Sequence, residues 1–142
     1  MLIVKRLFLQ LDRAVEKLRQ SQPAAKIGEV VVEMGYLLTE DPRSWLIPDV
    51  SITQHAQVRQ KYFEGSPLFA FEVVSAEDRA GDLNRKVRQL LRHGAAEVWL
   101  IYPNERQAWV HQRGERHVRL EDEAVRSPLL PGIEIPFAAL FD

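Results

Sequence analysis

The 142-residue sequence contains no cysteine, so neither a disulfide framework nor a thiolate metal site can be built from it. Nothing in it demands oxidising export, and a cytoplasmic protein is the expectation. It also lacks a long apolar run. The opening "MLIVKRLFLQLDR" meets Lys5 and Arg6 too early for a membrane span or for the apolar stretch of a signal peptide. Net charge is −1 with histidine neutral, so bulk electrostatics neither favours nor excludes a polyanionic partner, and only a local basic face could meet one. Internal repeats and low-complexity segments are missing. So are a phosphate-binding glycine loop, a dinucleotide fingerprint, a nucleophile elbow and zinc-ligand spacing, which removes the chemistries those motifs support.

What is present is the composition of an ordinary globular chain. With 46% hydrophobic and 27% charged residues, one core and one domain, residues 1–142, are expected. Leu7, Leu11, Ala14 and Leu18, with Phe8 and Val15 beside them, recur at helical spacing and predict an amphipathic helix over about Ile3 to Arg19. "SQPAAKIG" breaks it. "EVVVEMGYLLTE" reads as a strand bent or bulged at Gly35, "EDPRSW" as a turn, and "LIPDVSI" as a strand in which Pro48 marks an edge or an entry. The polar segment 54–67 predicts irregular chain with a short helical piece.

"LFAFEVVS" is apolar on both faces, as a strand covered on each side should be. The loop "AEDRAGD" ends at Asp82, a suitable N-cap, and Leu83, Val87, Leu90 and Leu91 then predict a helix stopped by Gly94. "EVWLIYP" is a second buried strand, reached through that helix and so parallel to the first. "RQAWVHQRG" with "HVRLED" predicts a hairpin. "AVRSPLLPGIEIPFAALFD" predicts a closing strand, a Pro-Gly turn and a last helical turn. The fold class expected is α/β, a mixed sheet flanked by helices.

An ionised carboxylate in a strand covered on both faces is costly unless a metal or a cation pairs with it, and Glu72 is such a residue. Asp49 in "IPDV" is the other acid in an apolar strand. If the two strands are neighbours, their carboxylates can converge on one divalent ion, and magnesium suits two carboxylates with waters and phosphate oxygens around them. Lys86, one helical turn after Asp82, shares a face with Asp82, Gln89 and His93 and can reach back over the strand ends.

"PDV", "FEVVS", "DLNRK" and "HGAAEVWLIYP" together resemble the bacterial Uma-two family, members of the PD-(D/E)xK restriction-endonuclease-like superfamily. The resemblance is close over about residues 45 to 105 and looser beyond. It implies a restriction-endonuclease-like core and a Mg²⁺ or Mn²⁺ site made by Asp49, Glu72 and the main-chain carbonyl of Val73, with Lys86 as the active-site lysine. The superfamily's lysine two residues after the glutamate is replaced by Val74; within the family the lysine lies on the following helix, the place Lys86 occupies. The family's opening strands and its first-helix histidine have no counterpart, so the domain is expected to lack those amino-terminal elements.

The function expected is metal-dependent hydrolysis of phosphodiester bonds in DNA, with Asp82 positioning Lys86 or holding a second ion and a homodimer cutting both strands. Arg79, Arg85, Arg88 and Arg92 are the best phosphate contacts on offer, with Arg59 and Lys61 as additions. Each residue also has a plainer reading. Asp49 follows a proline as strand-end acids often do, Asp82 and Lys86 form an ordinary surface pair, and the arginines suit a solvated face. Trp45, Trp99 and Trp109 read as core or dimer-interface residues, and His93 as a cation at a helix C-terminus. Two rivals follow: a binding module without turnover, and an oligomeric protein whose acids and lysine form a buried ionic cluster.

Overall fold

The computed structural model describes residues 2–142. Helix α1, Leu2–Ser21, buries Val4, Leu7, Leu11, Val15 and Leu18, the stripe its periodicity foretells. Complete burial of a leucine such as Leu7 or Leu11 contributes about 1.5–3 kcal/mol, which is why this face sets the helix on the sheet.

The sheet itself has six strands in the order β1 (Ile27–Val32), β4 (Val50–Gln54), β6 (Phe69–Val73), β7 (Glu97–Tyr102), β8 (Gln107–Gln112) and β9 (Arg119–Glu121). All neighbours are antiparallel except β6 and β7, which run parallel because helix α2, Ala80–Arg92, carries the chain between them. On one face Phe69, Phe71, Trp99 and Ile101 pack with α1 and with the C-terminal apolar residues Leu130, Ile133, Phe137 and Leu140. On the other, Ala70, Val98 and Leu100 meet Val87 and Leu90 of α2. The architecture is the mixed α/β sheet flanked by helices that the sequence predicts.

Five sequence expectations change. "EVVVEMGYLLTE" divides between two sheets, because β1 ends at Val32 and β2 (Tyr36–Glu40) belongs to a three-stranded sheet with β3 (Arg43–Leu46) and β5 (Phe63–Glu64). "EDPRSW" is therefore only partly a turn, since Arg43 to Trp45 pair with Leu37 to Glu40. β1 also begins earlier than expected, inside "KIG". There Gly28 is required, because a Cβ would collide with Thr53, whose hydroxyl accepts the Glu29 amide at 2.9 Å. The short helix in 54–67 does not form. Gln57 satisfies that loop instead, accepting from the Gln54 amide (2.9 Å) and donating to the carbonyls of Glu64 (2.8 Å) and Ser66 (2.9 Å). Finally, Asp82 is not an N-cap. α2 starts three residues earlier than that cap would allow, at Ala80 behind Arg79, leaving Asp82 in the first turn, where its charge still suits the helix dipole.

The C-terminal segment follows the pattern read from it. β8 and β9 form the hairpin, β10 (Ala124–Val125) pairs with β11 (Ile135–Pro136), Gly132 turns at φ 80°, and α3 (Ala138–Phe141) closes the chain. Among the described residues no helix is long and apolar enough to cross a membrane.

Candidate active site

β4 and β6 lie side by side, with Val50 opposite Phe71, and this pairing brings Asp49 to the end of β6. Asp49 precedes β4 rather than sitting inside an apolar strand, so Pro48 marks the strand's entry. Its Oδ2 accepts the Val73 amide at 2.8 Å, and its own amide donates to Glu72 Oε1 at 3.2 Å. These two bonds tie Glu72 to the Asp49 backbone and Asp49 to the backbone of the residue after Glu72. At Val73 the recorded contact is through the amide nitrogen.

Glu72 is 8% exposed and points to the α2 side of the sheet, on the same face as Ala70. Lys86 reaches over from α2 and places its Nζ 2.8 Å from Glu72 Oε1 and 3.2 Å from the Ile47 carbonyl oxygen. Burial pushes the Glu72 carboxyl up from 4.5 to about 7; the Lys86 ammonium opposes this and the Asp49 charge adds to it. The structure thus brings Asp49, Glu72 and Lys86 together from a strand entry, a strand and a helix.

A cleft of about 230 Å³ opens beside Glu72 and Lys86, lined also by Glu77, Asp78, Arg79, Asp82 and Leu83. Larger hollows of 400 Å³ and more lie elsewhere, and none of these four is lined by Glu72. Asp82 lines it without touching Lys86. Its Oδ1 accepts from Arg85 at 2.9 Å, with both side chains 65% exposed, so it does not position the lysine. Arg79, Arg88 and Arg92 are exposed.

Glu77 and Asp78 were not singled out by sequence reasoning. The only signal is that two acids stand together in the loop, and Asp78 is partly engaged there in accepting the Ser75 amide at 2.8 Å. Glu97 was missed as well, although it sits in an apolar strand as Glu72 does. It is fully buried, accepts from Trp99 Nε1 at 2.9 Å and from the Ser127 hydroxyl at 2.8 Å, and has Arg119 at 3.6 Å. Trp99 is core as expected, whereas Trp45 and Trp109 are 48% and 46% exposed and belong to no core cluster.

Among the described residues no three His, Cys, Asp or Glu side chains gather closely enough to hold a metal unaided. An ion at Asp49 and Glu72 would therefore take the rest of its shell from water, a main-chain carbonyl and substrate. That is the ordinary condition of magnesium, which uses one or two carboxylates and keeps several waters. Two carboxyl groups share a single lysine here, and that arrangement also fits a cation beside them.

A solved structure of "a putative nuclease belonging to DUF820" from Anabaena variabilis ATCC 29413 superposes with a TM-score of 0.76 over 98% of this chain and 80% of that one, at 16% identity. The likeness is one of fold. No curated protein sequence matches the chain. A family model, Uma2, described as "Putative restriction endonuclease", matches residues 2–138, nearly the whole sequence including the strand entry, strand and helix that carry Asp49, Glu72 and Lys86. The chain belongs to the Uma2 (Uma-two) family.

Proposed function

We propose that this chain is a divalent-metal-dependent endonuclease acting on phosphodiester bonds in DNA, working as one restriction-endonuclease-like domain. The observation that carries the reading is the convergence of Asp49, Glu72 and Lys86, with Glu72 and Lys86 lining one cleft and Glu72 held near its charge threshold by burial. Asp49 and Glu72, with the Val73 carbonyl, would hold Mg²⁺ or Mn²⁺. The ion would supply Lewis acidity, polarising a phosphoryl oxygen and acidifying a water.

The chain's own groups do the rest. Lys86, fixed by Glu72 and the Ile47 carbonyl, presents an ammonium where negative charge grows on the phosphoryl group. Arg79 at the cleft and Arg88 and Arg92 along α2 would meet flanking phosphates. Arg85 is tied to Asp82, but an exposed pair of this kind is worth about 0–1 kcal/mol, so a phosphate can displace it.

Glu72→Ala or Lys86→Ala should lower magnesium-dependent plasmid nicking by about a hundredfold or more while circular dichroism shows the fold intact. Equal nicking by the wild type and both variants would end the proposal.

A second reading draws on the Glu72–Lys86 pair being closed already at 2.8 Å. A nucleic-acid-binding or oligomeric module without turnover would suit such a closed pair. Salt-sensitive DNA binding with no cleavage at any Mg²⁺ or Mn²⁺ concentration would select it. A homodimer would use the outer β8–β9 edge, where Trp109 and Leu120 face each other across the strands, 46% and 55% exposed. Sedimentation of the wild type against Leu120→Glu reads this directly. A cytoplasmic setting accords with the absence of cysteine.

A further inference from the structure

The small sheet of β2, β3 and β5 is joined to the candidate site by only a few residues, since β3 runs straight into Ile47, Pro48 and Asp49. Trp45 stands four residues before Asp49, so their Cα atoms are no more than about 14 Å apart. β3 alternates, with Leu46 turned inward to pack beside Tyr36 and Phe63 while Arg43 and Trp45 face solvent. Core packing therefore explains Leu46 and leaves Trp45 unused.

Trp45 is not alone on that surface. Its ring lies 5.5 Å from that of Tyr62 at 50°, and the Arg43 guanidinium stands 5.4 Å over the Tyr62 ring. Gly35 lies beneath the pair, where a Cβ would press at 3.3 Å on both rings, so this position leaves them room to sit together. A shallow hollow of about 440 Å³ adjoins, with Lys61 on its rim. An exposed indole beside a half-buried phenol ring, interleaved with arginine and lysine and next to the proposed phosphodiester-cleaving centre, forms a surface suited to unstacked bases. Bases bring π-faces to the rings while their phosphates meet the cations.

We infer that the β3–β5 surface around Trp45 and Tyr62 binds an unpaired stretch of polynucleotide and delivers it to the cleft at Glu72 and Lys86. The inference deepens the nuclease reading and rests on it for direction. Its chemistry selects single strands, because a paired duplex hides base faces and offers only groove edges and phosphates. Glu40 and Glu64 share the hollow with Arg43 and Lys61, so ring stacking rather than net charge must supply the affinity here.

Binding is measured in chelator, without metal, so that cleavage plays no part. Trp109→Phe makes Trp45 the exposed fluorophore, since Trp99 is fully buried. In that background single-stranded oligodeoxynucleotide should quench the emission and blunt duplex should not, with single-stranded RNA as a parallel arm to decide which sugar is accepted. Trp45→Ala should weaken single-strand binding by about tenfold and leave duplex binding within about twofold, and Trp45→Phe should restore most of the loss. No quenching, no binding of single strands by the wild type, or an equal loss for single strand and duplex would each overturn the inference. Selective single-strand binding in a protein that never cleaves would sink the nuclease reading and leave this surface standing.

Discussion

Two buried carboxylates stand on neighbouring parallel strands and meet opposite fates. Glu97 on β7 faces the α1 side and is closed in by Trp99, Ser127 and Arg119. Glu72 on β6 faces the α2 side, receives one amide and one ammonium on the same oxygen, and borders a cleft. Burial alone therefore does not mark a site. The distinction lies in whether the protein engages both oxygens of a carboxylate, as at Glu97, or only one of them beside a cleft, as at Glu72, where a ligand can use the other.

The comparison breaks most readily at Glu97. Glu97→Ala should cost about 3–5 kcal/mol in urea denaturation, because it orphans the Trp99 N–H and the Ser127 hydroxyl and opens a void. A loss under about 1 kcal/mol would show that the network is ornamental to stability. Next is the pH response of Glu72 in metal-free protein. Its folded pKa, about 7 against an ordinary 4.5, makes its contribution complete below about pH 4.5 and lost as pH rises through about 7. Stability of the wild type should therefore fall by about 3 kcal/mol between about pH 5 and pH 8, and Glu72→Gln should flatten that fall. An unchanged slope in the variant would contradict the assignment.

Metal sharpens the contrast further. Mg²⁺ or Mn²⁺ at a hundred times its dissociation constant should stabilise the wild type by about 2.7 kcal/mol in a thermal melt, and Glu72→Ala should remove that gain. The same shift in both proteins would place any bound ion elsewhere. The smallest effect is on the helix surface. Replacing Arg88 and Arg92 with alanine should reduce the dependence of log affinity on log salt by about 2 without touching stability, since each lost phosphate contact releases roughly one counterion fewer. A full salt slope in the double variant would return both residues to the role of a solvated face.

Much of the scaffold was legible in residue order. The heptad-like stripe of α1, the doubly apolar strands around Glu72 and Glu97, and the helix ending at Gly94 follow from periodicity and local backbone preference, which act over a few residues. The small sheet was not legible. Arg43 to Trp45 form a strand only because Leu37 to Glu40 come alongside, and Gln57 replaces a helix by reaching carbonyls seven and nine residues away.

The sequence by itself determined which groups had to be reconciled: an acid in a buried strand, an acid after a proline in a second apolar segment, and a lysine on the next helix. Only the tertiary structure decided that Glu72 opens to a cleft and Glu97 does not, that Asp82 turns to Arg85 rather than Lys86, and that Trp45 stands in solvent beside Tyr62. Local preference sets the direction of a side chain relative to its own element. The packing of elements far apart in sequence sets what that side chain meets, and charge, burial and stacking depend on the meeting.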